Sequence, residues 1–579
     1  MTLSKHVNVE ALLQAAEDHP HLGLLSDTGR SSRAFHNLHY GRYQSHPIPK
    51  YKLPESGIDG SAAYNIIKDE LSLDGKPTLN LASFVHTTMD EHATRLMSEN
   101  VGVNLCDQDE YPATMAIHGR CISMLADLWH APHETDAEGK RKSAQGVATT
   151  GSSEAIMLGV LAMKKVWQAK RKAQGKSFKE PGPNLVYGAN AQVAIEKASR
   201  YFDIEERLVP TSKESHYRMD PTKAINMVDE NTIGVIVILG STYTGAYEPV
   251  DEMSKLLDEY ESKTGIHIPI HVDAASGGFV APFAHPSLKW DFSLPRVVSI
   301  NTSGHKFGGA YPGIGWIVLR NEEVLPKELV FELHYLGSVE YSFGLNFSRP
   351  AAPVIAQYYN LIQRGFEGYR LVMEQDLRNA RLLSRALENS SYYDVLSDIH
   401  KPAGAVAGVA SKVRRAAGGD DSAENYVPGL PVVAFKWTQE FQQQNPHLEQ
   451  RWMQTLLRAK GWIVPNYELA PDCQSIQILR VVVRSNLSED MIDQLITDIM
   501  SITEDLVDTS SASAHLASVM SKQQPPLQSQ ASGNNPPAAA AAAAAHGHKH
   551  HHKHKNVRKE PHNLPAGSGN VPTGYAKQC

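Results

Sequence analysis

The chain has 579 residues, too many for one hydrophobic core, so at least two packed domains with appendages are expected. Its hydrophobic content of 41% and charged content of 21% are those of a soluble globular protein, and a net charge of −7 argues against a nucleic-acid surface, which needs a basic face. Four scattered cysteines, Cys106, Cys121, Cys473 and Cys579, show neither zinc-ligand spacing nor a disulfide framework, a usage that suits a reducing compartment.

Residues 1–78 are polar and turn-rich, with one amphipathic stretch at Val9–Glu17, and read as an N-terminal arm packed on a larger body. The arm has no apolar run of signal-peptide type, and no window of the chain approaches the ~20 apolar residues needed to span a bilayer, so a cytosolic protein without membrane contact is expected. From residue 79 to 375, short apolar β-branched runs alternate with helix-like stretches. Asn184–Gly188, Thr232–Gly240, Ile266–Ala275, Arg296–Ile300 and Gly315–Arg320 read as strands buried on both faces, and Ser153–Lys172 as a helix. This pattern predicts an α/β domain with a mainly parallel sheet and a ligand site at the carboxyl ends of its strands.

A helical stretch, Asp376–Asn389, opens a smaller α+β domain over 376–508. Its strands are expected at Pro431–Trp437 and Ile476–Arg484, its closing helix at Asp490–Asp508, and a surface insertion at Ala403–Asp421. From 509 to 579 the composition turns to Ser, Gln, Asn and Pro, eight consecutive alanines and a His-rich run, and predicts a disordered tail.

Three segments carry chemistry. At Ser303, His305 and Lys306 a buried strand ends in a glycine-flanked turn, where a lysine amine can face a ligand and anchor a carbonyl cofactor. Asp273 ends another buried strand, where a carboxylate can pair with a protonated pyridine nitrogen. Gly151, Ser152 and Ser153 open a helix whose N–H groups and hydroxyls form a phosphate cup. Singly, each segment is also ordinary structure: a surface lysine beside a core histidine, an N-cap aspartate, a capped helix. Cup, carboxylate and lysine in that order on an α/β chain point to pyridoxal 5′-phosphate (PLP).

The segments Asn80–Phe84, Thr150–Ala155, Val237–Gly245, Ile270–Phe279, Ser303–Gly309 and Leu345–Ala351 resemble those of glutamate decarboxylases of the bacterial, plant and fungal type, within the group II PLP decarboxylases. The resemblance runs from about residue 80 to residue 507 and implies the aspartate aminotransferase fold (fold type I). It implies Lys306 as the Schiff-base lysine, Asp273 as the pyridinium partner and Ala275 against the far face of the ring. Ser152, Ser153, Ser303 and His305 resemble phosphate ligands, and Thr242 a threonine beside the cofactor. Gln192 stands where the family stacks a side chain over the ring, a position that is histidine in the animal enzymes. Ser83 and Phe84 match a pair that touches the substrate's distal carboxylate. Asn104 and Asp107 match a segment lent by a neighbouring subunit, which implies a homo-oligomer. Arg480 resembles the clamp of the α-carboxylate, with Arg484 as a rival. His334–Gly344 lies in the expected lid, with Tyr335 as its tip.

The implied activity is decarboxylation of L-glutamate to γ-aminobutyrate, with net uptake of one proton; Lys306, Asp273, Gln192 and Tyr335 are the expected catalytic residues. Alternatives are a group II decarboxylase for another amino acid, or a PLP-fold scaffold with a metal-binding tail. The six histidines between His546 and His554 are able to bind Ni²⁺, Zn²⁺ or Cu²⁺ or to change charge between about pH 5 and 7, although low-complexity sequence without a function is the plainer reading. Plant relatives often end in a calmodulin-binding helix with a tryptophan anchor. Residues 509–579 contain no tryptophan, so calmodulin control is not expected.

Overall fold

The computed structural model describes residues 50–508, apart from 134, 136–138, 140–141, 143, 334–339 and 404–420. The amphipathic stretch Val9–Glu17, most of the expected insertion, the tail and Tyr335 therefore lie outside the described residues.

A seven-stranded sheet forms the centre. Its strands are β1 (Gln145–Thr149), β2 (Asn184–Gly188), β3 (Glu205–Val209), β4 (Thr232–Ile238), β5 (Ile270–Asp273), β6 (Val297–Thr302) and β7 (Gly315–Leu319), in the spatial order β1-β7-β6-β5-β4-β2-β3. Every pair from β6 through to β3 is parallel, whereas β7 runs antiparallel to both of its neighbours. Each of the five expected strand segments forms a strand here. β2, β4, β5 and β7 are buried along their whole length, as near-continuous aliphatic runs require. Burying each Val, Ile or Leu contributes about 1.5–3 kcal/mol relative to exposing it.

Helices cover the sheet. The longest of those that touch it beside the site, Ser152–Ala173, buries Ile156, Val160, Met163 and Trp167 in one core cluster and Ala155 and Leu158 in another, and ends in Lys170, Arg171 and Lys172. Those cations complement the negative end of its dipole. A hairpin of β8 (Phe331–Leu333) and β9 (Glu340–Ser342) follows the sheet. The helix Ala352–Asn389 then runs through the expected boundary at 375/376 and is kinked at Gly365, whose φ is +57°. A second, antiparallel sheet holds β10 (Tyr393–Val395), β11 (Val432–Trp437), β12 (Asn466–Glu468) and β13 (Gln477–Val482), in the order β10-β11-β13-β12. The helix Glu489–Asp508 follows it.

The segment Asn80–His86 joins the two sheets. Leu81 N–H donates to the Ile463 carbonyl at 3.0 Å, the Leu81 carbonyl accepts from Val482 N–H at 2.9 Å, and His86 N–H donates to the His305 carbonyl at 2.7 Å. Ser83 and Phe84 are thereby fixed beside the turn that carries Lys306.

Candidate active site

Five strand ends converge on one cavity of about 420 Å³. Thr150–Ser153 follow β1, Asn190 and Gln192 follow β2, and Gly240 and Thr242 follow β4. Asp273, Ala275 and Ser276 end or follow β5, and His305 and Lys306 follow β6; all of these line the cavity, together with Ser83 and Phe84. This is the carboxyl edge of the parallel strands, where an α/β sheet leaves its crevice.

Lys306 is half-buried, and its amine donates to Ser276 Oγ at 3.2 Å and lies 5.3 Å from the centre of the Phe84 ring. Burial of the amine is the main cause that lowers its pKa, to about 8; Asp273 opposes the shift and Arg480 adds to it. A much larger share of this amine is therefore neutral near pH 7 than for an exposed lysine, as a nucleophile requires. Asp273 Oδ1 accepts from Asn301 Nδ2 at 2.9 Å and from Ala275 N–H at 3.1 Å, while no described residue donates to Oδ2.

The N-terminus of the Ser152–Ala173 helix carries no side-chain cap. Gly151 keeps it open: a Cβ at that position would lie 3.3 Å from Cε1 of His305. Gly315 allows the approach from the other side, because a Cβ there would lie 2.4 Å from the Gly151 carbonyl carbon. His305 donates from Nδ1 to the Ile314 carbonyl at 2.7 Å, and burial, with Lys306 second, lowers its pKa to about 4. Glu154, the acid of the first turn, also lines the cavity, with its carboxylate held by hydrogen bonds. Its Oε2 accepts from Thr150 N–H (2.8 Å), Thr150 Oγ1 (3.0 Å) and Asn346 Nδ2 (3.0 Å), and its Oε1 from Leu345 N–H (3.0 Å) and Asn346 N–H (3.3 Å).

These features fit a phosphorylated pyridine aldehyde. Uncapped N–H groups and the hydroxyls of Ser152 and Ser153 suit its phosphate; the Ser303 hydroxyl, buried with no hydrogen-bond partner among the described residues, does not line the cavity but sits in the turn just before His305. Asp273 Oδ2 suits a protonated ring nitrogen, Lys306 suits the aldehyde, and the methyl of Ala275 leaves room for a flat ring.

Of the residues singled out in the sequence, Ser83, Phe84, Ser152, Ser153, Gln192, Thr242, Asp273, Ala275, His305 and Lys306 all line the cavity. Gln192 also caps the next helix, its Oε1 accepting from Ala194 N–H at 2.7 Å. Arg480 stands behind the lining residues. It donates to the Thr242 carbonyl at 2.6 Å and to the Ala82 carbonyl, with its guanidinium carbon 4.9 Å from the centre of the Phe84 ring. Arg484 holds the carbonyls of Asn80 and Val85. Asn104 and Asp107 do not line this chain's cavity: Asn104 Oδ1 accepts from Arg349 N–H at 3.0 Å, and Asp107 Oδ1 accepts from Cys106 Sγ at 3.2 Å. Ser276 was missed by sequence reasoning, although its hydroxyl three positions after Asp273 was a visible signal.

Residues 53–407 match the family described as the pyridoxal-dependent decarboxylase conserved domain. A glutamate decarboxylase of Solanum lycopersicum is 45% identical over 82% of this chain and 87% of its own length. One of Saccharomyces cerevisiae is 44% identical over 83% of each. The solved glutamate decarboxylase of Lactobacillus brevis superposes with a TM-score of 0.71 at 36% identity, covering 80% of this chain and 97% of that one. A solved Oryza sativa TDC with PLP and tryptamine, at 16% identity and a TM-score of 0.61, shares the fold.

Proposed function

The chain belongs to the pyridoxal-dependent decarboxylase family, and from that premise we propose how its cavity removes the α-carboxylate of L-glutamate to give γ-aminobutyrate and CO₂. The observation that carries the reading is the meeting of the Lys306 amine, the Asp273 carboxylate and an uncapped helix N-terminus in one cavity. The enzyme is a glutamate decarboxylase, and its cofactor is PLP.

When bound, PLP supplies an electron-accepting ring that takes up the electron pair left as the Cα–carboxylate bond breaks. The rest is done by side chains. Lys306 would hold the aldehyde carbon, and its lowered pKa keeps an unprotonated fraction available. Asp273 holds a proton on the ring nitrogen through Oδ2. Ser152, Ser153, Ser303 and His305 would retain the phosphate, and Ala275 and Gln192 would bound the space for the ring. Arg480 orients the α-carboxylate, and Ser83 and Phe84 bound the distal end. The Lys306 amine, steadied by Ser276 Oγ, is the group that holds a proton for Cα, so that one proton is consumed for each CO₂ released.

The working unit in this proposal is a homo-oligomer. Two features support it: Asn104 and Asp107 lie away from their own chain's cavity, and the helix Gly60–Leu71 exposes Tyr64, Ile67 and Leu71 along one side. Such an uncovered apolar stripe suits contact with a second copy. The proposed location is the cytosol, and no described helix is long and apolar enough to cross a membrane. Neither nucleic acid nor calmodulin is a proposed partner.

A panel of amino acids scored by CO₂ release, with borohydride fixation of the cofactor as a second readout, tests the function. Glutamate should be turned over at least about a hundredfold faster than aspartate or aromatic amino acids, a discrimination within reach of a polar pocket. Equal turnover of an aromatic amino acid would refute the assignment of Ser83 and Phe84 to the distal carboxylate.

A further inference from the structure

A carboxylate buried at the end of a strand tends to take up a proton, and a freely rotating one points nowhere in particular. Behind Asp273 runs a line of hydrogen bonds. Asn301 Nδ2 donates to Asp273 Oδ1 at 2.9 Å. On the far side of the same amide, Asn301 Oδ1 lies 2.7 Å from His271 Nε2, and His271 Nδ1 lies 2.7 Å from Ser299 Oγ. All four side chains are buried, and they face one another across the parallel pair β5–β6, His271 in register with Ser299 and Asp273 with Asn301.

Chemistry fixes the protons along this line. A carboxylate only accepts, so Asn301 must turn its NH₂ toward Asp273 and its oxygen toward His271. That oxygen needs a donor, so His271 carries its proton on Nε2. The imidazole is neutral, because burial lowers its pKa, so Nδ1 is a lone pair and Ser299 donates to it. Room for the ring comes from Gly159, where a Cβ would lie 2.8 Å from it. A histidine that merely filled this space would need neither the amide nor the hydroxyl.

We propose that His271 and Asn301 are positioning residues for the cofactor, which fix Asp273 in its ionised form with Oδ2 facing the cavity and so keep a proton on the ring nitrogen. The proposal rests on the reading of the cavity as a PLP site. His271 acts through Asn301, and Asn301 through Asp273; neither side chain lines the cavity.

The test loads the enzyme with PLP labelled with ¹⁵N at the ring nitrogen and reads that nitrogen's protonation by NMR, alongside PLP affinity and thermal midpoint. In Asn301→Ala and His271→Leu the ring nitrogen should shift toward the unprotonated form, and the Kd for PLP should rise about tenfold, the loss of one charge-assisted hydrogen bond. His271→Gln retains a side-chain N–H donor for Asn301 and should return most of the wild-type signal. Ser299→Ala, at the far end of the line, should move the signal in the same direction by less, and it serves where the larger substitutions do not fold. A ring nitrogen as fully protonated as in the wild type in folded Asn301→Ala or Ser299→Ala enzyme would overturn the proposal. Wild-type enzyme that takes up no borohydride-fixable PLP would instead overturn the cofactor reading beneath it.

Discussion

Arg480 donates from Nη1 to the Thr242 carbonyl at 2.6 Å and from Nη2 to the Ala82 carbonyl, so one guanidinium ties a cavity wall to the loop that carries Ser83 and Phe84. Its Nε is buried with no partner among the described residues. Lysine offers a single charged centre and cannot span two carbonyls while offering a fork to a carboxylate. Arg480→Lys should raise the KM for glutamate about 10- to 100-fold while PLP content stays full, a range in keeping with the loss of a charge-assisted pair. Steady-state kinetics beside cofactor absorbance gives the answer; an unchanged KM would remove Arg480 from substrate binding.

Lys306 should be indispensable. Lys306→Ala is expected to lose at least about three orders of magnitude in kcat and to retain no PLP after borohydride treatment and denaturation. Mass spectrometry of the wild-type protein, reduced and digested, should find the cofactor on the peptide containing residue 306.

The lowered pKa of Lys306, about 8, makes a kinetic prediction about the apoenzyme. Only the neutral amine attacks the aldehyde, so the rate of covalent reconstitution should climb about tenfold per pH unit below pH 8 and level off above it. An exposed lysine would keep climbing toward pH 10.5. Stability carries the opposite face of the same shift. Between about pH 8 and 10.5 the unfolded chain binds more protons at this position than the folded apoenzyme does, so this group's contribution to stability rises with pH across that window. Below pH 8 the penalty is present in full. The difference in denaturation midpoint between wild-type apoenzyme and Lys306→Met should track that window and be flat outside it.

Glu154 joins the phosphate cup to the segment after the β8–β9 hairpin through five hydrogen bonds. Glu154→Gln keeps one acceptor oxygen but turns an NH₂ group toward backbone N–H donors. Hydrogen exchange at the Leu345 and Asn346 amides should speed up at least about tenfold, and PLP affinity should fall about tenfold. Unaltered exchange at those two amides would show that the carboxylate is not what holds the segment.

Gly315→Ala places a methyl group 2.4 Å from the Gly151 carbonyl carbon, a backbone contact that no rotamer change relieves. A cost of about 1–3 kcal/mol is expected from such overpacking. It should appear as a lowered thermal midpoint together with weakened PLP binding, because the strand can recede only by dragging the cup.

The buried strands and the residues at their carboxyl ends were legible in the sequence because each lies in a run whose composition and position say the same thing. β1 and β3 were not legible. β1 reads QGVAT and β3 reads EERLV, edge strands too polar or too small-residued to show a buried face, and β1 depends on pairing with β7 some 170 positions later. The helix from Ala352 was read only from Asp376, since Gly365 and the polar residues around it break the apolar period. Asn301 and His271 escaped for another reason. A polar residue inside an apolar strand declares its burial but not its partner, and here the partners sit on the neighbouring strand.

The Asn80–His86 loop is anchored almost wholly through its main chain: its carbonyls meet Arg480, Arg484 and Val482, and its N–H groups meet Ile463 and His305. Such a tether holds the backbone whatever stands at position 83, whereas Phe84 is itself packed in the core against Phe307. The proposed contact with the far end of the substrate at position 83 can therefore drift by mutation while the frame stays put, which makes that position the natural place for selection, or a protein engineer, to retune which amino acid the enzyme accepts.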